Sequence, residues 1–398
     1  MRRPTLDYLR TESGSGLVLA TAAVAALGLA NSRIAADYGA LLALPVPVTV
    51  GAFSETMSLA GWVRALLMPV VFFVLGMELK FELLRGELSN PRRLGLPALA
   101  ALGGLIAPIG VFLAVAHAAP SRWAVGAATD GAAALAVLAI TGPRLAHSLR
   151  VLLISVAIAD NLAGVVLNAV MGAGPVRWPE VAGAGAGLVA LLVLSRWRRA
   201  PLLFYPAGFL MVWGFVLKSG LDPALAGVAC AITVPVGARR PGEPSLLKYF
   251  MDSLHPYVAF AILPLFILTA AGVSSRAFRL SDLGAPAPLG VMLALVVGKP
   301  LGVFGLCAAG ISLKLVRKPT GAKWIEILAV ALICGVGFTV SYFLAGMGPP
   351  DPLPKSVAAL RAAIFIGSVV AGLAGGALLV WTADARRADL AALEETLR

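Results

Sequence analysis

The sequence predicts an all-α polytopic membrane protein, with about twelve transmembrane helices forming one domain over residues 1–398. Composition is the first of three observations behind this expectation. Of the 398 residues, 59% are hydrophobic and 13% charged, whereas an average soluble domain is about 25% charged. Twelve helices of about 20 residues would use about 240 residues, a share of the chain close to its hydrophobic fraction. No water-soluble domain fits beside them. The second observation is a series of twelve apolar segments, and the third is an uneven partition of Lys and Arg between alternate connections.

The first apolar segment, residues 15–30, follows Arg2 and Arg3. Asp7 and Glu12 interrupt that basic start and further apolar segments follow, so a first spanning helix is expected rather than a cleaved signal peptide. Before the second segment, 60–79, the stretch PVPVTVGAF alternates β-branched residues and reads as extended. The remaining segments lie at 94–116, 122–141, 149–172, 180–195, 202–217, 223–236, 254–273, 287–312, 325–346 and 358–382. The eighth is short enough to be a partial span. Cys230, Cys307 and Cys334 all fall within apolar segments, and an odd number so placed offers no disulfide framework. They read as core packing.

An even number of spans puts both termini on one side. The tails and alternate connections on that side hold 22 of the 32 Lys and Arg residues, among them Arg92, Arg93, Arg144, Arg198, Arg199, Arg239, Arg240 and Arg317. The opposite set holds nine, from Arg33 to Arg361. The excess of positive charge on one side predicts cytoplasmic termini. It also accounts for most of the net charge of +12 without nucleic acid, whose binding would need a basic patch on a soluble fold.

The one basic residue in neither set is Lys299, near the middle of the tenth segment in LVVGKPLGVFG. Asp130, in GAATDGAAALAV, and Asp160, in ISVAIADNLAGVVL, are likewise mid-span. At 1.5 Å per residue the two acids lie about 12–17 Å into a hydrocarbon layer of about 30 Å. A charge at that depth costs roughly 2.5–3.5 kcal/mol on insertion scales, which marks these three as a functional group. Two acids and a base at one depth can satisfy one another if they converge, and convergence at the midplane is what a cation or proton site requires.

The backbone nearby adds support. Thr129, Asp130 and Gly131 stand at the centre of the fourth segment, and Gly335, Gly337 and Thr339 at the centre of the eleventh, in CGVGFTVS. Glycines and hydroxyls in mid-span weaken a helix and release carbonyls that can ligate a cation. Spans three to five and ten to twelve form two triplets of opposite topology, each with the broken-looking segment in the middle. That is the pattern of an inverted repeat with its site at the repeat interface.

At these residues the sequence resembles the NhaA-type sodium/proton antiporters, and over almost its whole length. The matching stretches are DYLRTESGSG, FFVLGMELKFELLRGEL, ATDGAAALAVLA, VAIADNLAG, LKSGLDPALAGV, LHPYVAFAILPLF, GKPLGVFG and LICGVGFTVSYF, in order and with the right spans between them. The resemblance implies two crossed discontinuous helices in spans four and eleven, and a cytoplasmic funnel leading to a midplane cation site. It implies exchange of Na⁺ or Li⁺ for protons across the bacterial cytoplasmic (inner) membrane in the service of pH homeostasis, with no cofactor. Thr129 and Asp130 match the family's Thr-Asp, and Lys299 matches its tenth-span lysine. Asp160 and Asn161 fall on its paired aspartates, the pair expected to hold the metal cation. Glu78 and Glu82 match funnel acids linked to pH sensing, and the PVPVTVGAF region matches a hairpin through which two subunits associate, so a homodimer is expected.

Two positions depart from the family. Asn161 stands where the family has its central cation-binding carboxylate, and Phe81 stands where it usually has Arg between the funnel acids. Electroneutral relatives in the wider superfamily carry Asn then Asp, the reverse of the order here. An amide can offer an oxygen to a cation but cannot carry a proton. Three outcomes stay open: an antiporter with about one proton per cation, one that uses Asp130 as its second acid, or a degenerate homologue with little transport and a structural or regulatory role. A retinal protein would have seven spans, and a membrane hydrolase would need a nucleophile with a base or metal. His117, His147 and His255 lie near span ends, away from the depth of the acids.

Overall fold

The computed structural model of the chain describes residues 12–51, 53–117, 120–142, 147–171, 175–197, 202–237, 245–277, 279–319, 321–346 and 354–396. Of the charges used to orient the chain, Arg2, Arg3, Arg10, Arg144, Arg198, Arg199, Arg239, Arg240 and Arg398 lie outside these residues.

Fourteen helices and one hairpin make up the described fold. In chain order they are α1 (Glu12–Ala30), α2 (Ala35–Ala43), the strands β1 (Pro45–Val50) and β2 (Phe53–Ser58), α3 (Leu59–Leu84), α4 (Pro91–Val115), α5 (Gly131–Thr141) and α6 (His147–Met171). There follow α7 (Trp178–Arg196), α8 (Phe204–Ser219), α9 (Ala224–Thr233), α10 (Leu246–Ala270) and α11 (Pro286–Ser312). The chain closes with α12 (Trp324–Ile333), α13 (Phe338–Ala345) and α14 (Pro354–Thr396).

Among the described residues eight helices are long and apolar enough to cross a membrane, or ten if each bent pair is one span. One bent pair is α12 with α13, which turn by 40°; the other is α1 with α2, at 111°. The two remaining expected spans are α8, of 16 residues, and α9, of 10. Ten residues rise about 15 Å, half of a hydrocarbon layer, so the eighth segment is a partial span. Its ends are closed by side chains: Asp222 Oδ1 accepts from Ala224 N at 2.9 Å, and Lys80 Nζ donates to Val234 O at 2.7 Å. An acid at a helix start and a base at its end both oppose the helix dipole.

The PVPVTVGAF stretch forms the first strand and turn of an antiparallel hairpin in register Pro45↔Ser58 to Val50↔Phe53. Gly51, at φ 58°, supplies the left-handed residue that a tight turn between twisted strands needs. Trp62 Nε1 donates to Val46 O at 2.8 Å and ties the hairpin to the start of α3.

Three long helices each contain one π turn, at Val63–Leu67, Val258–Ile262 and Ala294–Gly298. Each ends two residues before a proline: Pro69, Pro264 and Pro300. Proline has no N–H and its ring collides with the carbonyl four residues back; widening the turn relieves both. The carbonyl that Pro69 leaves without its helical donor is Ala65 O, and the Trp213 indole donates to it at 2.6 Å. The turn in α11 delivers Lys299 as the next residue.

Packing follows the two triplets. α4 lies along α11, and α14 packs on both α11 and α12 while also touching α5; α6 touches α4, α5, α12 and α13. The contact of α4 with α11 is reciprocal. A Cβ on Gly103 would run into Gly302 O, and one on Gly302 into Gly103 O, so the third and tenth spans meet backbone to backbone. Around this assembly, α3 pairs with α9 and α7 with α8. The three cysteines are free and buried in these contacts.

Candidate cation-binding site

The site is built where two broken spans cross. A 3₁₀ turn at Pro120–Gly126 runs into an extended stretch, and α5 begins at Gly131. The eleventh span breaks between Ile333 and Phe338. The two breaks are joined by Asp130 N donating to Val336 O at 2.6 Å, Thr129 Oγ1 to Cys334 O at 2.8 Å and Ser341 Oγ to Val125 O at 2.7 Å. Groups that a continuous helix would bond internally are thus satisfied across the crossing, as buried backbone must be.

Glycine permits this approach. A Cβ at Gly335 would collide with Leu295 O in the π turn of α11, and one at Gly337 would lie 3.1 Å from Ala128 O. Gly131 is different: a Cβ there would make only ordinary contact, 3.5 Å from the Ala157 methyl.

The predicted charges divide into two groups. In the first, Lys299 Nζ donates to Asp160 Oδ2 and, at 2.7 Å, to Thr129 Oγ1. The Thr129 hydroxyl has Asp160 Oδ2 at 3.0 Å and Cys334 O at 2.8 Å as acceptors for its single proton. Asn161 Oδ1 accepts from Thr129 N at 3.3 Å. Lys299 and Thr129 are fully buried, and Asp160 and Asn161 nearly so. Among the described residues Asp160 Oδ1 is a buried side-chain oxygen with no hydrogen-bond partner. A buried acceptor left unsatisfied costs about 1–3 kcal/mol, which makes it the point in the group with most to gain from a cation or a proton.

Asp130 forms the second group. Its Oδ1 accepts from Ala133 N at 3.1 Å, capping α5, and its Oδ2 accepts from Thr339 N at 2.9 Å and from the Thr339 hydroxyl. One carboxylate therefore closes the N-termini of α5 and α13, where the positive ends of both helix dipoles meet. Sequence reasoning grouped Asp130 with Asp160 and Lys299, but its bonded partners are these helix ends, while Asp160 is the acid that receives Lys299.

Glu78 and Glu82 stand one turn apart on α3, with Lys80 between them directed to the end of α9 and Phe81 packed against the core. Two contributors were missed from sequence. Ser368 Oγ accepts from Phe338 N at 3.1 Å at the start of α13, and Cys334 contributes through its backbone carbonyl. A lone serine in the apolar run IFIGSVVAG was the visible sign of the first; the glycines of CGVGFTVS signalled released carbonyls but not which residue supplies one.

With this geometry in view, the chain can be placed among known proteins. A relative from Erythrobacter litoralis, named Na(+)/H(+) antiporter NhaA 2, is 38% identical across 97% of this chain and 96% of its own length. The Na(+)/H(+) antiporter NhaA of Pseudomonas putida is 38% identical over 95% and 97%, and that of Campylobacter concisus 37% over 96% and 94%. Residues 6–379 match the family described as Na⁺/H⁺ antiporter 1, and the chain belongs to that family.

Proposed function

We propose that the protein exchanges Na⁺ or Li⁺ for protons across the bacterial cytoplasmic membrane, at about one proton per cation, with Asp160 as the carboxylate both ions share. The observation that carries this reading is the buried Lys299–Asp160–Thr129 group with the unpartnered Asp160 Oδ1. In the cation-free state Lys299 and Asp160 form a neutral pair. A cation entering at Asp160 would raise the buried charge to +1, which a low-dielectric interior penalises. Loss of the single proton that Asp160 and Lys299 share across their hydrogen bond restores neutrality, the cation taking its place on Asp160. The exchange is then one proton for one cation, with no net charge moved.

Asn161 sets the stoichiometry in this reading, because its amide offers an oxygen but no titratable proton. The three donors on Asp130 support a structural role for that residue in place of the second proton. Transport would proceed by alternating access, with both termini cytoplasmic, Glu78 and Glu82 at the funnel and two subunits joined through the β1–β2 hairpin. The test is a Na⁺-driven pH change in proteoliposomes: Asp160→Asn abolishes exchange, and equal exchange by wild type and variant would refute the assignment.

One observation favours the second reading, a degenerate homologue with little transport. The Asn161 oxygen is already committed to Thr129 N. If Asn161→Asp brings no gain over a weak wild type, that reading is the better one.

A further inference from the structure

The unpartnered oxygen of Asp160 stands beside a glycine of the third span. Gly104 is buried in α4, and a Cβ built on it would lie 3.4 Å from Asp160 Oδ1, 3.1 Å from Asp160 Oδ2 and 3.2 Å from Val303 Cγ2. Four residues on, Pro108 has no N–H, so the Gly104 carbonyl lacks its i+4 donor within the helix. Its neighbour Gly103 has a different explanation, the backbone contact with Gly302. No backbone atom of another helix is among the nearest neighbours of a Cβ at Gly104; two of the three are the oxygens of the site carboxylate. The absence of a side chain at 104 leaves less than a methyl group's room beside a buried anionic oxygen with no donor of its own, next to a carbonyl without its helical donor, and such a place suits only a small bare cation.

We propose that Gly104 sets the size of the cation that Asp160 accepts. This rests on the reading of Asp160 as the carboxylate shared by cation and proton. A methyl at position 104 would narrow the space without changing any charge, so the Lys299–Asp160 pair and its proton chemistry remain. In a close-fitting pocket one added or missing carbon discriminates by about 10–200-fold. Li⁺ is the smaller ion, and Gly104→Ala therefore penalises Na⁺ more than Li⁺.

The experiment measures apparent KM for Na⁺ and for Li⁺ from cation-driven pH changes in proteoliposomes of wild type and Gly104→Ala. The expected result is a rise of about tenfold or more in KM for Na⁺ and a smaller rise for Li⁺, so that the ratio of the two KM values shifts toward Li⁺. A general packing defect lowers the maximal rate or the yield of folded protein for both ions and leaves the ratio in place. If Gly104→Ala folds poorly, Gly104→Ala with Val303→Ala removes the methyl that the new Cβ would touch, and the same shift in ratio is expected. An unchanged ratio in a variant that exchanges overturns the role of Gly104 while the role of Asp160 stands. Failure of the wild type itself to exchange either ion overturns the reading of Asp160, and the inference with it.

Discussion

Asn161→Asp adds one carboxylate to a site that holds a single carboxylate and a lysine, and its effect can be worked from the geometry. Asn161 Oδ1 and Asp160 Oδ2 are both hydrogen-bonded to Thr129, at 3.3 Å from its N and 3.0 Å from its Oγ1. Both side chains therefore border Thr129, and a separation of about 5 Å between a cation on Asp160 and a carboxylate at 161 is taken for the Coulomb estimate. One unit charge at that distance, with an effective dielectric of about 20, contributes about 3 kcal/mol, which is about a hundredfold in cation affinity. The added acid also brings a second titratable proton, so the exchange becomes two protons per cation and moves one net charge per cycle. The assay is Na⁺-driven pH change in proteoliposomes with the membrane potential clamped at several values. For the wild type the Na⁺ gradient at which flux reverses is independent of potential; for the variant it shifts with potential, and KM for Na⁺ falls. A wild type whose reversal point already depends on potential as strongly as the variant's would refute the one-proton assignment. An unchanged KM in a well-folded variant would refute the placement of residue 161 beside the cation.

Other expectations concern the crossing and the assembly. Asp130→Ala removes the cap on two half-helices, at about 0.5–2 kcal/mol each, and a lowered thermal midpoint in detergent, with poor exchange in consequence, is expected; a Tm equal to wild type would contradict the capping role. Asp130→Asn keeps an acceptor oxygen for one helix end and sets its NH2 against the donors at the other, so some stability is lost while one-for-one exchange is retained, read as an unchanged reversal point; loss of coupling would instead make Asp130 a proton carrier. A cysteine placed at Thr49, in the exposed hairpin, is expected to cross-link two subunits in native membranes, and a wholly monomeric protein there would count against the dimer.

The part of the site legible in sequence was its set of mid-span charges, which the structure buries. Helices advance 1.5 Å per residue, so counting from span ends put Asp130, Asp160 and Lys299 near the midplane with no knowledge of the neighbours. The prolines that follow the three π turns were not singled out from sequence, although a missing N–H is a property of the residue itself and marks where a helix deforms. What the sequence left open was the lateral arrangement. Lys299 and Asp160 are 139 residues apart in the chain, and nothing in local spacing says that the lysine meets Asp160 while Asp130 turns to Thr339.

The amino-acid sequence alone determined the class of protein, the number of apolar segments and the set of buried charges, since each follows from transfer of side chains and backbone out of water one segment at a time. The tertiary structure alone decided which charges pair, which carbonyls are released at the crossing and that Gly104 stands against Asp160. Those outcomes depend on close packing between helices distant in sequence, where a single Cβ at Gly103, Gly302 or Gly335 would exclude the approach.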